Sequence, residues 1–303
     1  MDHPSAGLSL FPTSLSPSRF ERFVAIDWSG QAVERPKGLA MAVAETGSAA
    51  PELIDAKPGW SRMALGEWIT ARADQPVLIG IDLSCGFPFL DAQAYFPGWA
   101  DSPASAPALW ELVEQLCESD PHLGSSSFIA HPEAFRHFRQ QGVLGDLPPP
   151  GRGRLRVCEH HQRAAGLSPY SCFNLVGAAQ VGKSSLTGMR LFHRLRGRVP
   201  VWPFDPLPPS GAVIVEIYTA LAARQAGVGK GRSKLRDAPA LDQALAALGS
   251  APHRPLPRYD DHATDAMVTA AWLRQVAHRA ELWQPSALTP EIAATEGWTF
   301  GLP

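Results

Sequence analysis

The stretch Phe23-Val24-Ala25-Ile26-Asp27-Trp28-Ser29-Gly30 is an apolar run that ends on a carboxylate and then a glycine. A short run bounded in this way suits a strand buried on both faces. The pattern returns in Val77-Leu78-Ile79-Gly80-Ile81-Asp82-Leu83-Ser84-Cys85-Gly86, so that Ile-Asp-x-Ser closes two separate apolar segments. Laid side by side and parallel, the two strands set Asp27 and Asp82 at one level. Ligands of open α/β sheets lie outside the carboxyl ends of the strands, which is where both acids fall.

Working outward, residues 37–45 and 52–55 read as the second and third strands of a meander, turned at Thr46-Gly47-Ser48. Met63, Leu65, Trp68 and Ile69 give residues 61–72 a helical face, with Ser61 as its cap. Three strands, a helix and a fourth strand returning beside the first resemble the opening of the ribonuclease H-like fold. Residues 88–107 are loop-like, residues 108–117 form a short amphipathic helix, and the Pro/Gly-rich segment at 147–154 breaks regular structure. The core pattern resumes at Ala212-Val-Ile-Val-Glu216-Ile-Tyr218, followed by helices from Thr219, over 239–248 and over 261–278. The expected class is α/β, a mixed ribonuclease H-like sheet flanked by helices. It forms one domain over 21–303 after a loose tail at 1–20, with a large basic insertion at about 88–210 before the last core strand.

A chain of 303 residues, 45% hydrophobic, can bury a large core. The Ser/Pro-rich start lacks the pattern of a signal peptide, and no segment approaches the ~20 apolar residues of a membrane span. Cys85, Cys117, Cys158 and Cys172 show no C-x-x-C spacing, which argues for reduced thiols in a cytoplasmic protein and against structural zinc. The net charge of −2 hides an asymmetry: residues 152–236 hold fourteen Lys or Arg against three acids, and the rest of the chain is correspondingly acidic. Such a block is the electrostatic footprint expected for a polyanion such as nucleic acid, or else solvated surface charge. Lys183, Arg190, Arg232, Lys234 and Arg236 are its candidate backbone contacts.

Four segments distant in sequence each set a carboxylate in an apolar element: Asp27, Asp82, Glu216 and Asp265. Isolated buried carboxylates are costly, so a cluster implies shared protons or a bound cation. Hard oxygen donors suit Mg²⁺ or Mn²⁺, and two such ions support in-line phosphoryl displacement with a water as nucleophile. Asp261 and His262 share the face of the last helix with Asp265 and extend the candidate ligand set. Each acid also has a structural reading, as an Asx turn, a helix cap or a solvated edge.

Residues 23–30, 79–88 and 213–218, with Asp260-Asp-His-Ala-Thr-Asp265-Ala, resemble the signature segments of the predicted nuclease family catalogued as domain of unknown function 429, assigned to the ribonuclease H-like superfamily. His262-Ala-Thr-Asp265 is also similar to the metal-site helix of RuvC-type Holliday junction resolvases. The resemblance implies Asp27 as the first-strand metal ligand, Asp82 or Glu216 as the bridging acid, and Asp265 as the ligand from the last helix. The expectation is therefore metal-dependent cleavage of nucleic acid phosphodiesters.

Gly177-Ala-Ala-Gln-Val-Gly182-Lys183-Ser184 matches the phosphate-binding pattern G-x-x-x-x-G-K-[ST]. An ATP-binding protein, using this loop or an actin-like or sugar-kinase-like site, is the rival reading. A binding module whose acids do not catalyse is the third. Cys158-Glu159-His160-His161 looks metal-like, but adjacent side chains diverge on a regular element. Trp202, Trp272 and Trp283 read as core aromatics.

Overall fold

Strand β1 (Arg22–Asp27) lies at the middle of the sheet because its neighbours on both sides are bonded to it along its full length. The computed structural model that shows this describes residues 19–141, 153–177, 180–229 and 235–303. On one side β2 (Ala40–Glu45) runs antiparallel, followed by the two-residue β3 (Glu52–Leu53). On the other side β4 (Val77–Asp82) runs parallel to β1, followed by β6 (Val213–Ile217) and the short edge strand β5 (Val201–Trp202). The six strands take the order β3-β2-β1-β4-β6-β5, a mixed sheet.

Period-2 alternation splits this sheet between two cores. Val24, Ile26, Ile79, Ile81 and Ile214 face one cluster, whereas Phe23, Ala25, Leu78, Val213 and Val215 face the other. Helices α1 (Arg62–Thr70), α2 (Ala106–Leu116), α3 (Ser126–Ala130), α4 (Pro132–Phe135), α5 (Val157–Ala164) and α6 (Val181–Leu195) precede β5 in the chain. Of these, α1, α2 and α6 cover the first face and pack on one another. Helices α7 (Thr219–Gln225), α8 (Ala238–Ala247) and α9 (Asp261–Val276) cover the second, and α10 (Pro290–Ala294) follows. Ser61, Ser105 and Asp260 accept bonds from the third backbone N–H of α1, α2 and α9, so side-chain caps start these helices where the sequence places them. Trp202, Trp272 and Trp283 are fully buried in the second core. Among the described residues no helix is long and apolar enough to cross a membrane.

Helix α9 lies close on β1 and β2 because both surfaces are small. Ala25, Ala42 and Ala44 on the sheet meet a helix carrying Ala263, Ala266 and Ala270, all buried. The helix runs antiparallel to β1: its first turn reaches Asp27, while Arg274 near its end donates to the carbonyls of Glu45 and Ala49.

Two arginines of the basic segment, Arg156 and Arg190, are internal, while most of its other described cations are exposed. Arg156, 1% exposed, spends its guanidinium on Glu159 Oε1 at 3.0 Å, Glu216 Oε1 at 2.5 Å and Oε2 at 2.8 Å, Ser84 Oγ and the Glu296 carbonyl. Glu159 also accepts from the Arg156 backbone N–H, closing the start of α5. Arg154 pairs with Asp91, and Arg190 with Glu114. Breaking a buried pair leaves an uncompensated charge. Arg156→Met strands Glu159 and Glu216, and urea unfolding is expected to show a loss of about 3–5 kcal/mol. A loss below ~1 kcal/mol would mean that this network does not hold the core.

Candidate active site

The parallel register pairs Asp27 with Asp82 directly. Both follow the parity of Phe23, Ala25 and Leu78, so both side chains project to the α9 face. His262, in the first turn of α9, brings Nδ1 to 2.8 Å from Asp27 Oδ2. Asp265, one turn further, is close enough to raise the pKa of Asp82. Four of the residues singled out from the sequence therefore lie at one end of the sheet: Asp27, Asp82, His262 and Asp265.

Glu216 is near enough to raise Asp82 but turns away from the α9 face, which corrects the expected four-acid set. It pairs in register with Ile81, so it points to the opposite face from Asp82. There Arg156, the Thr299 hydroxyl at 2.6 Å and the Cys85 N–H at 2.7 Å take both of its oxygens. Its carboxylate is a structural counter-charge. Asp261, the other expected ligand, faces Arg236 Nη2 at 2.9 Å.

Electrostatics mark the two central acids. Desolvation raises Asp27 above the ordinary carboxylate range, and the His262 hydrogen bond opposes it. Asp82 is raised well above that range by desolvation first and then by Asp27, with the Thr219 hydroxyl at 3.0 Å working against the shift. Asp27 in turn raises the His262 imidazole. Neighbouring carboxylates that raise one another are the kind of hard oxygen donors whose repulsion a divalent cation would relieve. Among the described residues no three His, Cys, Asp or Glu side chains close around a single position. The donors thus stand open, with Asp27 and Asp82 sharing hydrogen bonds with His262 and Thr219.

Beside Asp27 runs a groove of about 1020 Å³ walled by residues of the loop after β1, the start of α3 and the start of α6. Gly30 permits this. A Cβ there would collide with the backbone of Lys183 and Ser184, so only glycine lets the loop lie against the first turn of α6. Arg62 holds the same loop from beneath, donating to the carbonyls of Ser29, Gln31 and Val33 and to that of His122. Burial lowers its guanidinium to about 10, with Arg190 adding to the shift. The sequence reading takes Arg62 only as a helix residue, since nothing local links it to a loop thirty positions earlier. Arg156 is missed likewise, although the i, i+3 pair Arg156/Glu159 was a readable signal for a helix start.

Comparison with protein-family models, curated proteins and solved structures finds no match in any of the three. The residues themselves therefore carry the functional argument.

The basic candidates divide. Lys183 lines the groove with Arg35 and Lys37. Arg190, expected at a nucleic acid surface, is 1% exposed and bonds Glu114 Oε2 at 2.6 Å and the carbonyls of Gly124 and Asp120. That corrects the expectation: the charge serves the groove wall from inside. Arg232 and Lys234 lie outside the described residues, as do Ala178 and Ala179 of the Gly177–Ser184 motif. Within that motif Gly182, Lys183 and Ser184 belong to the first turn of α6, and the Gln180 carbonyl takes the N–H groups of Lys183 and Ser184. Residues 173–176 make one isolated bridge, Asn174 to Arg139, where a phosphate-binding loop needs a strand of the sheet. In α5, Cys158 and Glu159 are buried while His160 and His161 are exposed, so the run does not converge.

An acid whose pKa is raised on folding binds its proton more tightly in the folded chain, so it removes stability as pH rises from the ordinary carboxylate range through the folded value. Asp82→Asn removes that penalty. Without added metal the variant is expected to melt a few degrees above wild type near pH ~8, with the gap closing toward pH ~4. A pH-independent gap would contradict the crowding of these carboxylates.

Proposed function

We propose that this protein is a metal-dependent hydrolase of nucleic acid phosphodiesters, with a ribonuclease H-like sheet. The observation that carries the reading is the level pairing of Asp27 with Asp82 beneath a helix that presents His262 and Asp265. The antiparallel β3-β2-β1 meander followed by β4 returning parallel beside β1 supports the ribonuclease H-like assignment and, with it, the likeness to the predicted nuclease family.

Asp27, Asp82 and Asp265 would hold Mg²⁺ or Mn²⁺, which when bound supplies positive charge to the developing oxyanions of an in-line displacement. The protein's own groups do the rest. Asp27 accepts the Nδ1 proton of His262, which leaves Nε2 to take or give a proton at the mouth of the groove. Lys183 and Lys37 attract the phosphate backbone along the groove, and Arg62 keeps its wall in place. Lys183 contributes in this reading as a groove cation, with Arg236 beside the start of α9 as a further contact.

In a cleavage assay with Mn²⁺ and single-stranded, duplex and branched substrates, Asp27→Asn, Asp82→Asn and Asp265→Asn are each expected to fall to background. His262→Ala is expected to lose roughly 10²–10⁴-fold in rate with its fold intact. Undiminished cleavage by Asp27→Asn would overturn the assignment.

A further inference from the structure

Two cavities flank the acids, and they differ in charge. The groove beside Asp27 carries Arg35, Lys37 and Lys183, the first shared with Glu34 at 2.8 Å. The second cavity, about 350 Å³, lies against Asp82 between the α5 and α6 segments. Its ionisable lining is Asp82, Glu159 and Glu216 against the single guanidinium of Arg156. All five N–H bonds of Arg156 go to protein oxygens, so it has none for a ligand. The first cavity thus offers a phosphate two lysines, and the second offers it no cation that is not already spent on protein oxygens.

The second cavity has the features of a site for a flat, uncharged group. Trp28, Leu83, Val181 and Ile217 supply apolar wall, and Tyr170, 46% exposed, stands at its edge. Gln162, Gln180 and Ser184 supply amide and hydroxyl groups. Trp28, Gln180 and Ser184 line both cavities, so the two adjoin on either side of the paired acids.

We propose that the α5/α6 cavity receives one unstacked nucleobase beside the scissile phosphate, while the backbone follows the basic groove. This rests on the nuclease reading and narrows its substrate to a strand with unpaired nucleotides. A volume of 350 Å³ at the end of the sheet admits one base and excludes a base pair held in a duplex. Base stacking on aromatic side chains is tolerant of sequence, so the cavity selects for strandedness ahead of base identity.

The test is equilibrium binding without added divalent cation, read by anisotropy of a short end-labelled single strand and of the same strand annealed to its complement. Wild type is compared with Tyr170→Ala, which removes an exposed ring, and with Val181→Trp, which fills the cavity. Wild type is expected to prefer the single strand by about tenfold, and both variants to lose that margin while duplex binding and melting temperature stay unchanged. Unlabelled nucleoside 5′-monophosphate is expected to compete weakly and ribose 5-phosphate not at all. Equal affinity for the two forms, no binding of either, or variants that match wild type would overturn the proposal. A monophosphate that binds as tightly as the strand would overturn the assignment to a strand. If the variants lose the margin but wild type shows no Asp27-dependent cleavage, the nuclease reading falls and the base site stands. If cleavage depends on Asp27 and the variants bind as wild type does, the reverse holds.

Discussion

Two carboxylates held level on adjacent parallel strands form the constraint around which the rest is arranged. Register pairs Asp27 with Asp82, and parity turns both toward α9. Desolvation and mutual repulsion make this arrangement costly to the fold. The surroundings answer that cost only in part: one hydrogen bond from His262, one from Thr219, and a helix N-terminus pointed at the pair. Carboxylates raised by burial and by one another at strand ends mark a candidate functional site.

Alanines make the arrangement reachable. The flat surface of Ala25, Ala42 and Ala44 lets α9 descend until its first turn meets the end of β1. With larger side chains there, the helix would ride higher and His262 would miss Asp27. The opposite face works differently: its large residues hold α1, α2 and α6, and the start of α6 walls the groove.

Three buried arginines act as internal fasteners. Arg62 ties down the loop after β1, Arg190 the loop before α3, and Arg156 joins α5 to β6 and to the backbone near the end of the chain. Charge that looks like a surface footprint in the composition is thus partly spent inside the molecule. The pairing of Arg156 with Glu216 also separates two acids that lie on neighbouring strands. Asp82 is left to the α9 face, while Glu216 becomes framework.

Much of this was legible in one dimension. Apolar runs stopped by Asp27 and Asp82, the Ser61 and Asp260 caps and the Asp261–Asp265 helix start are local signals, because strand burial, capping and helix periodicity depend on near neighbours. The sequence by itself thus determined the central strands, the main helices and the acids at their ends. The roles of Glu216, Arg190 and the Gly177–Ser184 motif were decided elsewhere. Whether a buried acid is ligand or counter-charge depends on which face it takes and which guanidinium meets it there, and Arg156 lies 60 positions from Glu216. Likewise a glycine-lysine-serine pattern binds phosphate where a sheet strand leads into it, and here the residues before it make only an isolated bridge to Arg139. Pairings between distant segments leave no periodic trace in a sequence, and only the packed chain settles them.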